Sequence, residues 1–377
     1  MNRKKSENAV CLIGHPYAPI GMGEHLRASC RAMRRAGEAP RLRDVYQLQQ
    51  PGDADLAEFG AVCQQGPGEI NVFHINGNEV EQVLNHLDHH GGWSGYNVIY
   101  PLWELARYPA EWAAQLDRFD EIWAPSQFIF DSLSAACSKP VVHMPLACEI
   151  ALDSFLGRRY FGLPEADYTF LFFYDLRSYS ARKNPQAVLR AYAALLAQRP
   201  YGKAHLVIKV NGADMYPEGF AELQEAVRPF HGTVTLIQHM MSGNEVKNLV
   251  RCCDCFISLH RSEGYGFGIA EAMALGKPVI ATAYSGNMDF MNAEVALCVD
   301  YQLVPVQDGE YPHHEEQVWA DPDADQAARH MQTLLDDPAG GRALGTRARL
   351  HMQSHFAYRP IGLNYVQRLD EIWDNLL

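Results

Sequence analysis

Residues 263–281 read EGYGFGIAEAMALGKPVIA. Glu263 and Glu271 stand eight positions apart, with glycine at Gly264, Gly266 and Gly268 between them. Upstream, CFISLH (255–260) is a short continuous apolar run, as expected of a buried strand. Downstream, IAEAMALG reads as a helix closed by Gly276, and PVIATA (278–283) as the next strand. Alternate glycines at a strand-to-helix junction let backbone approach a ligand closely. The helix start also presents N–H groups and the positive end of a dipole, which suits a diphosphate or a sugar hydroxyl. Glu263 before the turn and Glu271 about one turn into the helix can accept hydrogen bonds from two ends of such a ligand. A tight turn with surface carboxylates fits the same spacing.

Working outward, the alternation of strand and helix continues in both directions. AVCLIG (9–14), INVFHI (70–75), NVIYPLW (97–103), EIWAP (121–125) and VVHMPL (141–146) read as buried strands. Helical segments at 23–36, 78–88 and 127–137 separate them. The pattern resumes with TFLFFYD (169–175), HLVIKV (205–210), VTLIQHM (234–240), and ALCVDY (296–301) after the opening stretch. Apolar runs alternating with helices imply parallel sheets covered on both faces. The fold expected is α/β, with two Rossmann-like doubly wound parallel-sheet domains facing a deep cleft. Residues 1–160 form the first domain, completed by an amphipathic C-terminal helix at 358–377, and residues 161–357 form the second. Residues 302–322, with Pro305, Gly309, Pro312 and Pro322, read as a long loop. Ligands of such sheets bind beyond the C-terminal strand edges.

The chain has 377 residues, enough for two cores, and 47% hydrophobic content, so disorder is not expected. A formal net charge of −13 argues against nucleic acid, whose affinity rests on Lys and Arg neutralising phosphates. Nine cysteines without framework spacing read as reduced thiols of a cytoplasmic protein. Cys252, Cys253 and Cys255 cluster without a second group that would complete a metal site. The start MNRKKSENAVCLIG is too short in apolar residues for a signal segment or a membrane span.

SLHRSEGYGFGIAEAMALGKPVIATAYSGNMDF (258–290) resembles the signature of the retaining GT4 glycosyltransferases, which have a GT-B fold and a Glu-x7-Glu motif. The resemblance implies that Glu263 holds hydroxyls of a donor sugar and that Glu271 holds the ribose of its nucleotide. It also implies that backbone amides around Gly264, Tyr265, Gly266, Phe267 and Gly268 contact sugar and phosphates. GHPYAPIGMGEHLRASCRAMRRAG (14–37) resembles the family's first strand–loop–helix, with Gly21 and Gly23 expected before a helix start that meets the donor phosphate. YDLRSYSARKNPQAVLRAYAALL (174–196) resembles the segment opening the second domain, where an arginine and a lysine five apart clamp the diphosphate. Lys183 matches the lysine. The arginine position holds Ser178, with Arg177 and Arg182 flanking the gap and Arg182 the better substitute.

In YPLWELARYPAEW (100–112), Trp103 and Glu104 end a strand as an aromatic and a carboxylate suited to a sugar, and Glu104 is assigned to the acceptor side. Trp112 and Trp123 fit core positions equally. Ser126 reads as a cleft residue or, more simply, a helix N-cap. His15, His74 and His260 fall near strand ends, where buried histidines are the plainer reading. Arg27, Arg31, Arg34 and Arg35 repeat along one helix face, followed by Arg41 and Arg43. They read as a solvated face or as a dock for an anionic membrane surface or a phosphate-bearing lipid acceptor. Asp53, Asp55, Asp321 and Asp323 read as surface acids in loops, and the resemblance implies no metal. The expectation is therefore a metal-independent enzyme, cytoplasmic or peripheral on the inner face of a membrane. It would move a hexose-type sugar from a nucleotide diphosphate sugar to a hydroxyl of a glycan or lipid-linked glycan, in cell-surface polysaccharide assembly. A non-catalytic nucleotide-sugar-binding subunit and a nucleotide-sugar epimerase are the alternatives.

Overall fold

The computed structural model describes residues 9–47, 53–199 and 203–376, so the basic start at 1–8 lies outside the described residues. The chain divides into two compact units, Met1–Cys148 with Ser354–Leu377, and Glu149–Gln353. The division falls after Cys148 rather than at residue 160, and the chain returns to the first unit from Ser354 rather than 358.

The first unit contains strands β1 (Val10–Gly14), β2 (Arg41–Asp44), β3 (Ile70–Phe73), β4 (Tyr96–Ile99), β5 (Glu121–Ala124) and β6 (Val141–His143). Its helices are α1 (Gly21–Arg35), α2 (Asp53–Phe59), α3 (Val80–His89), α4 (Ala110–Leu116) and α5 (Gln127–Ala136). The six strands form one sheet in the order β2-β1-β3-β4-β5-β6. All neighbours are parallel. The second unit contains β7 (Tyr168–Asp175), β8 (Ala204–Asn211), β9 (Val234–Ile237), β10 (Cys255–Ser258), β11 (Val279–Thr282) and β12 (Leu297–Val299). These form a second parallel sheet in the order β12-β11-β10-β7-β8-β9. Its helices are α6 (Ser180–Lys183), α7 (Pro185–Gln198), α8 (Pro217–Val227), α9 (Gly243–Cys252), α10 (Phe267–Ala274), α11 (Ala324–Asp336) and α12 (Pro338–His355). The last helix, α13 (Tyr358–Leu376), belongs to the first unit.

The strand orders explain where a ligand would be held. Each sheet is built outward from its first strand in one direction and then in the other. The order therefore reverses between β1 and β3, and again between β7 and β10. At such a switch point the loops leaving two adjacent strands part, and a crevice opens beyond their C-terminal ends. The loop after β7 carries Arg182 and Lys183, and the loop after β10 carries Glu263.

Two elements depart from the expectation. Strand β2 was not visible as a strand, because RLRD has no apolar run. Its Arg43 is buried, donating to Gly92 O (2.6 Å) and His90 O (2.5 Å), while Arg41 donates to Pro67 O (2.7 Å). Neither is a surface cation awaiting a membrane. Residues 302–322 hold more than a loop, since β13 (Tyr301–Pro305) and β14 (Val318–Pro322) pair antiparallel.

Helix α13 packs on α1, and Gly362 permits it: a Cβ there would meet Ala32 O at 2.0 Å. Tyr365 is fully buried, stacks on Trp123 (5.7 Å) and donates to Pro145 O (2.9 Å), which fixes Trp123 as core. Arg368 closes the contact by pairing with the buried carboxylate of Glu121. All nine cysteines are free thiols, with Cys252, Cys253 and Cys255 buried.

Candidate active site

Glu263 is the centre of the best-defined polar cluster in the second unit. Only 9% of the residue is exposed, and both carboxylate oxygens are taken. Lys183 Nζ donates to Oε1 at 2.5 Å and Arg182 Nη1 to Oε2 at 3.0 Å. Burial alone would raise the carboxyl's pKa; the charges of Lys183 and Arg182 outweigh it and hold Glu263 down at about 2. The group is an anion at any physiological pH.

Local sequence explains the placement. After β7, Asp175 caps a short turn by accepting from Arg177 N (2.9 Å). Asn184 adopts a left-handed conformation between α6 and α7, which asparagine tolerates. Its side chain caps α7 through Ala187 N (3.3 Å) and donates to Leu259 O (3.0 Å), tying the loop to the end of β10. Arg261 N then donates to Arg182 O (2.8 Å), and Glu263 N to Ser285 Oγ (2.8 Å). Ser285 has φ 73° and ψ −149°, a conformation expensive for a side-chain-bearing residue. Tyr179, beside Ser178, is also at positive φ (63°). One strained residue thus holds the Glu263 backbone, and the other starts the turn that carries Arg182 and Lys183.

His260 is fully buried beneath the cluster. Its Nε2 faces two acceptors, Asn287 Oδ1 (3.0 Å) and Tyr284 O (3.3 Å), so it carries the proton, and Nδ1 accepts from Ser258 Oγ (3.1 Å). Burial pushes its pKa down, so it stays neutral and serves as scaffold. Ser285, Asn287 and Tyr311 are participants that the sequence reading did not single out. The first two lie within the quoted stretch at YSGN, and the third lies in 302–322, which the sequence presents as a loop.

The glycines have distinct reasons. Gly266 is the N-cap of α10 at φ 94°, a left-handed position closed to most side chains. Gly268 lies in the first turn of α10, where a Cβ would meet the Phe173 ring at 2.8 Å. Close packing on the sheet requires glycine there. Tyr265 is buried against Phe267 (5.1 Å) and Phe290 (5.0 Å), anchoring the loop. Glu271 sits half-buried within α10. The helix ends as expected at Gly276 (φ 73°), with Gly276 N donating to Met273 O and Lys277 N to Ala272 O.

The substitutes for the missing arginine divide. Arg177 is exposed and spent on Asp175 (2.6 and 2.9 Å). Arg182 is 4% exposed and tethered also to Ser178 O (3.2 Å) and Ser262 O (3.0 Å), so in this structure it supports Glu263 rather than facing an open phosphate position.

Gly21, Gly23 and Glu104 lie in the first unit. Gly21 and Gly23 are inside the first turn of α1 rather than before it. A Cβ on Gly23 would meet Ala18 O at 2.1 Å, so that glycine allows the loop to fold onto the helix. Glu104 is half-buried in the loop after β4. Trp103 is not a sugar-facing wall: it is 3% exposed, edge-on to Tyr108 (5.8 Å) and Trp112 (5.2 Å), and its indole N–H donates to Arg107 O (2.9 Å). Ser126 is the N-cap of α5, accepting from Ile129 N (3.3 Å). His15 contacts Glu79 (3.3 Å), and His74 is fully buried beside His25 (4.6 Å).

Of the helix arginines, Arg27 donates to Pro16 O and Ala18 O, Arg31 pairs with Glu24 and Glu58, and Arg34 reaches Glu58 O. Arg35 alone of the four is exposed. Asp53 starts α2 and Asp321 belongs to β14, so these two lie in regular elements and not in loops, while Asp323, between β14 and α11, caps α11 through Gln326 N (2.9 Å). Among the described residues no group of three or more His, Cys, Asp or Glu could hold a metal ion. No helix among them is long and apolar enough to cross a membrane. A cavity of about 390 Å³, lined in part by Arg158, Tyr168, Lys203 and Asp254, lies at the strand starts of the second sheet, away from Glu263. Its Arg158 and Asp254 neutralise each other (2.6 Å), and it offers no comparable convergence.

Residues 168–337 match the family described as Glycosyl transferases group 1. The match covers the strands and loops that build the Glu263 cluster. A D-inositol 3-phosphate glycosyltransferase of Kineococcus radiotolerans is 28% identical over 174 residues, covering 44% of this chain and 36% of that protein. The enzyme of the same name from Salinispora arenicola is 26% identical over 215 residues, covering 55% and 42%. The chain thus spans well under half the length of the curated relatives it matches. The fold is shared more widely. Anabaena Alr3699/HepE, solved in complex with UDP and glucose, superposes with a TM-score of 0.69 at 14% identity, covering 97% of this chain and all of that one. Sucrose-phosphate synthase of Thermosynechococcus elongatus gives 0.65 at 17% identity, covering 97% and 99%. The two parallel six-stranded sheets are those of a two-domain α/β, GT-B fold.

Proposed function

We propose that the protein is a retaining glycosyltransferase that moves a hexose-type sugar from a nucleotide diphosphate sugar to a hydroxyl of a glycan or lipid-linked glycan. The observation that carries this reading is the Glu263 carboxylate held by Lys183 and Arg182 at the switch point of the second sheet, with Glu271 one turn into the helix that follows. A fixed anion there accepts sugar hydroxyls. Adjacent cations and the α10 N-terminus favour the charge that gathers on the diphosphate as the glycosidic bond breaks.

Support comes from the family match over the same residues and from a neighbour of like fold solved with UDP and glucose. Retention follows from the resemblance of the Glu-x7-Glu stretch. In that mechanism the acceptor hydroxyl attacks the face the leaving group vacates, and a phosphate oxygen takes its proton. Gly21 and Gly23 are assigned to the donor phosphate by the resemblance of their own segment, Glu104 to the acceptor side as a carboxylate beyond the end of β4, and no metal is required. Three of the four helix arginines are bonded within their own unit, so a peripheral contact of this helix with an anionic membrane would rest chiefly on Arg35.

The test is a thermal-shift screen of UDP-, GDP-, ADP- and dTDP-sugars, followed by nucleotide release in the presence of EDTA. A donor that raises the melting temperature and is turned over supports the reading. Binding without release or transfer to any acceptor supports a binding subunit instead.

A further inference from the structure

The two cations on Glu263 are not equivalent. Arg182 is walled in: its side chain is 5% exposed, three hydrogen-bond acceptors hold it, and the ring of Tyr311 lies 5.9 Å from its guanidinium carbon. Tyr311 belongs to the segment between β13 and β14, which is itself locked to the Glu263 loop. Ala320 N donates to Arg261 O (3.0 Å), and Arg261 pairs with Glu310 (3.1 Å) over the Trp319 ring (5.2 Å). Lys183 has a side chain 19% exposed, on a flexible stem, and pairs with Glu263 Oε1. A lysine is a mobile point charge, whereas an arginine in a fork of acceptors is fixed.

Resting on the donor reading above, we propose that Lys183 is an exchanging cation: a donor diphosphate draws it off Glu263, and only then is Oε1 open to accept a sugar hydroxyl, while Arg182 keeps Oε2 in place. The Glu263 side chain is 11% exposed and the ammonium stands 2.5 Å from Oε1, so a sugar hydroxyl competes with Lys183 for the little of that oxygen that is open. Sugar recognition is thereby conditional on the phosphate. Free sugar meets a carboxylate with a cation already on each oxygen. Nucleotide and sugar consequently bind with positive coupling, each strengthening the other by one common factor. Arg182 and Tyr311 are positioning residues in this scheme, and Lys183 is the group that changes partner.

The experiment is titration calorimetry with UDP, GDP, ADP and dTDP, each alone and with saturating glucose, galactose, mannose or N-acetylglucosamine. For the pair that binds, hexose affinity is expected to rise at least tenfold when the nucleoside diphosphate is present. In Lys183→Gln, hexose is expected to bind with or without the nucleotide within about twofold, its melting curve serving as the folding control. Hexose affinity independent of nucleotide in the unmodified protein overturns the exchange while leaving the donor reading intact. So does coupling of undiminished size in Lys183→Gln. Absence of binding by every nucleoside diphosphate removes both.

Discussion

Glu263 is a buried carboxylate whose charge is set by its neighbours, and that has a measurable consequence. Its folded pKa, about 2, lies below the ordinary value of 4.5. The stabilisation from its two ion pairs is therefore fully present above about pH 4.5 and is lost as pH falls toward 2. A shift of this size corresponds to roughly 3 kcal/mol. Urea unfolding of the protein and of Glu263→Gln is expected to show a stability difference that shrinks by that order between pH 5 and pH 2. A difference flat across the range would mean that the pairing is absent in solution. At this scale the sequence was informative about which residues matter, but not about how they connect. Glu263 was legible from its spacing to Glu271 across the glycines, and Lys183 and Arg182 only through the resemblance of their segment to the family's. That Arg182 turns inward onto Glu263 was not, because it depends on Tyr311 and on the Ser262 carbonyl eighty residues away.

At the level of elements, the helix α10 was readable almost to the residue. A left-handed N-cap glycine and a glycine-closed C-terminus are both local signals. The reason for Gly268 was not local, since it answers to Phe173 on β7. Gly268→Ala is expected to cost about 1–3 kcal/mol through overpacking. Combining it with Phe173→Leu should recover part of that loss, as neighbours that share a contact are non-additive. Thermal melting of the two single variants and the double variant checks this, and strict additivity would contradict it. The same logic accounts for the elements that were missed. Strand β2 carries two arginines that read as surface charge, yet Arg43 buries its guanidinium against backbone carbonyls. Strands β13 and β14 sit among prolines, and their antiparallel pairing is a tertiary fact with no periodic signature strong enough to announce it.

Across the whole molecule, the doubly wound pattern followed from the spacing of apolar runs, while the polar contents of the cores did not. His25 and His74 are fully buried and meet edge to plane at 4.6 Å, with Tyr100 4.2 Å from His25. None of their four ring nitrogens has a hydrogen-bond partner among the described residues. Burial pushes both pKa values down, His74 to about 3. The folded protein then binds fewer protons at these sites than the unfolded chain once pH drops below about 6.5. Stability consequently falls as pH falls, by about 1.4 kcal/mol per pH unit for each imidazole. His74→Phe is expected to flatten the pH dependence of the unfolding midpoint between pH 6.5 and pH 4; an unchanged slope would show that the pair is not buried neutral.

The central claim concerns the second unit: Glu263 reads the sugar of a donor whose diphosphate lies beside Lys183. Titrating the nucleotide sugar chosen by the screen, and its free nucleoside diphosphate, into the protein and into Glu263→Ala tests it directly. The variant is expected to lose at least tenfold in affinity for the nucleotide sugar while holding the free nucleoside diphosphate within about threefold. Equal affinity of both proteins for the nucleotide sugar would contradict the account.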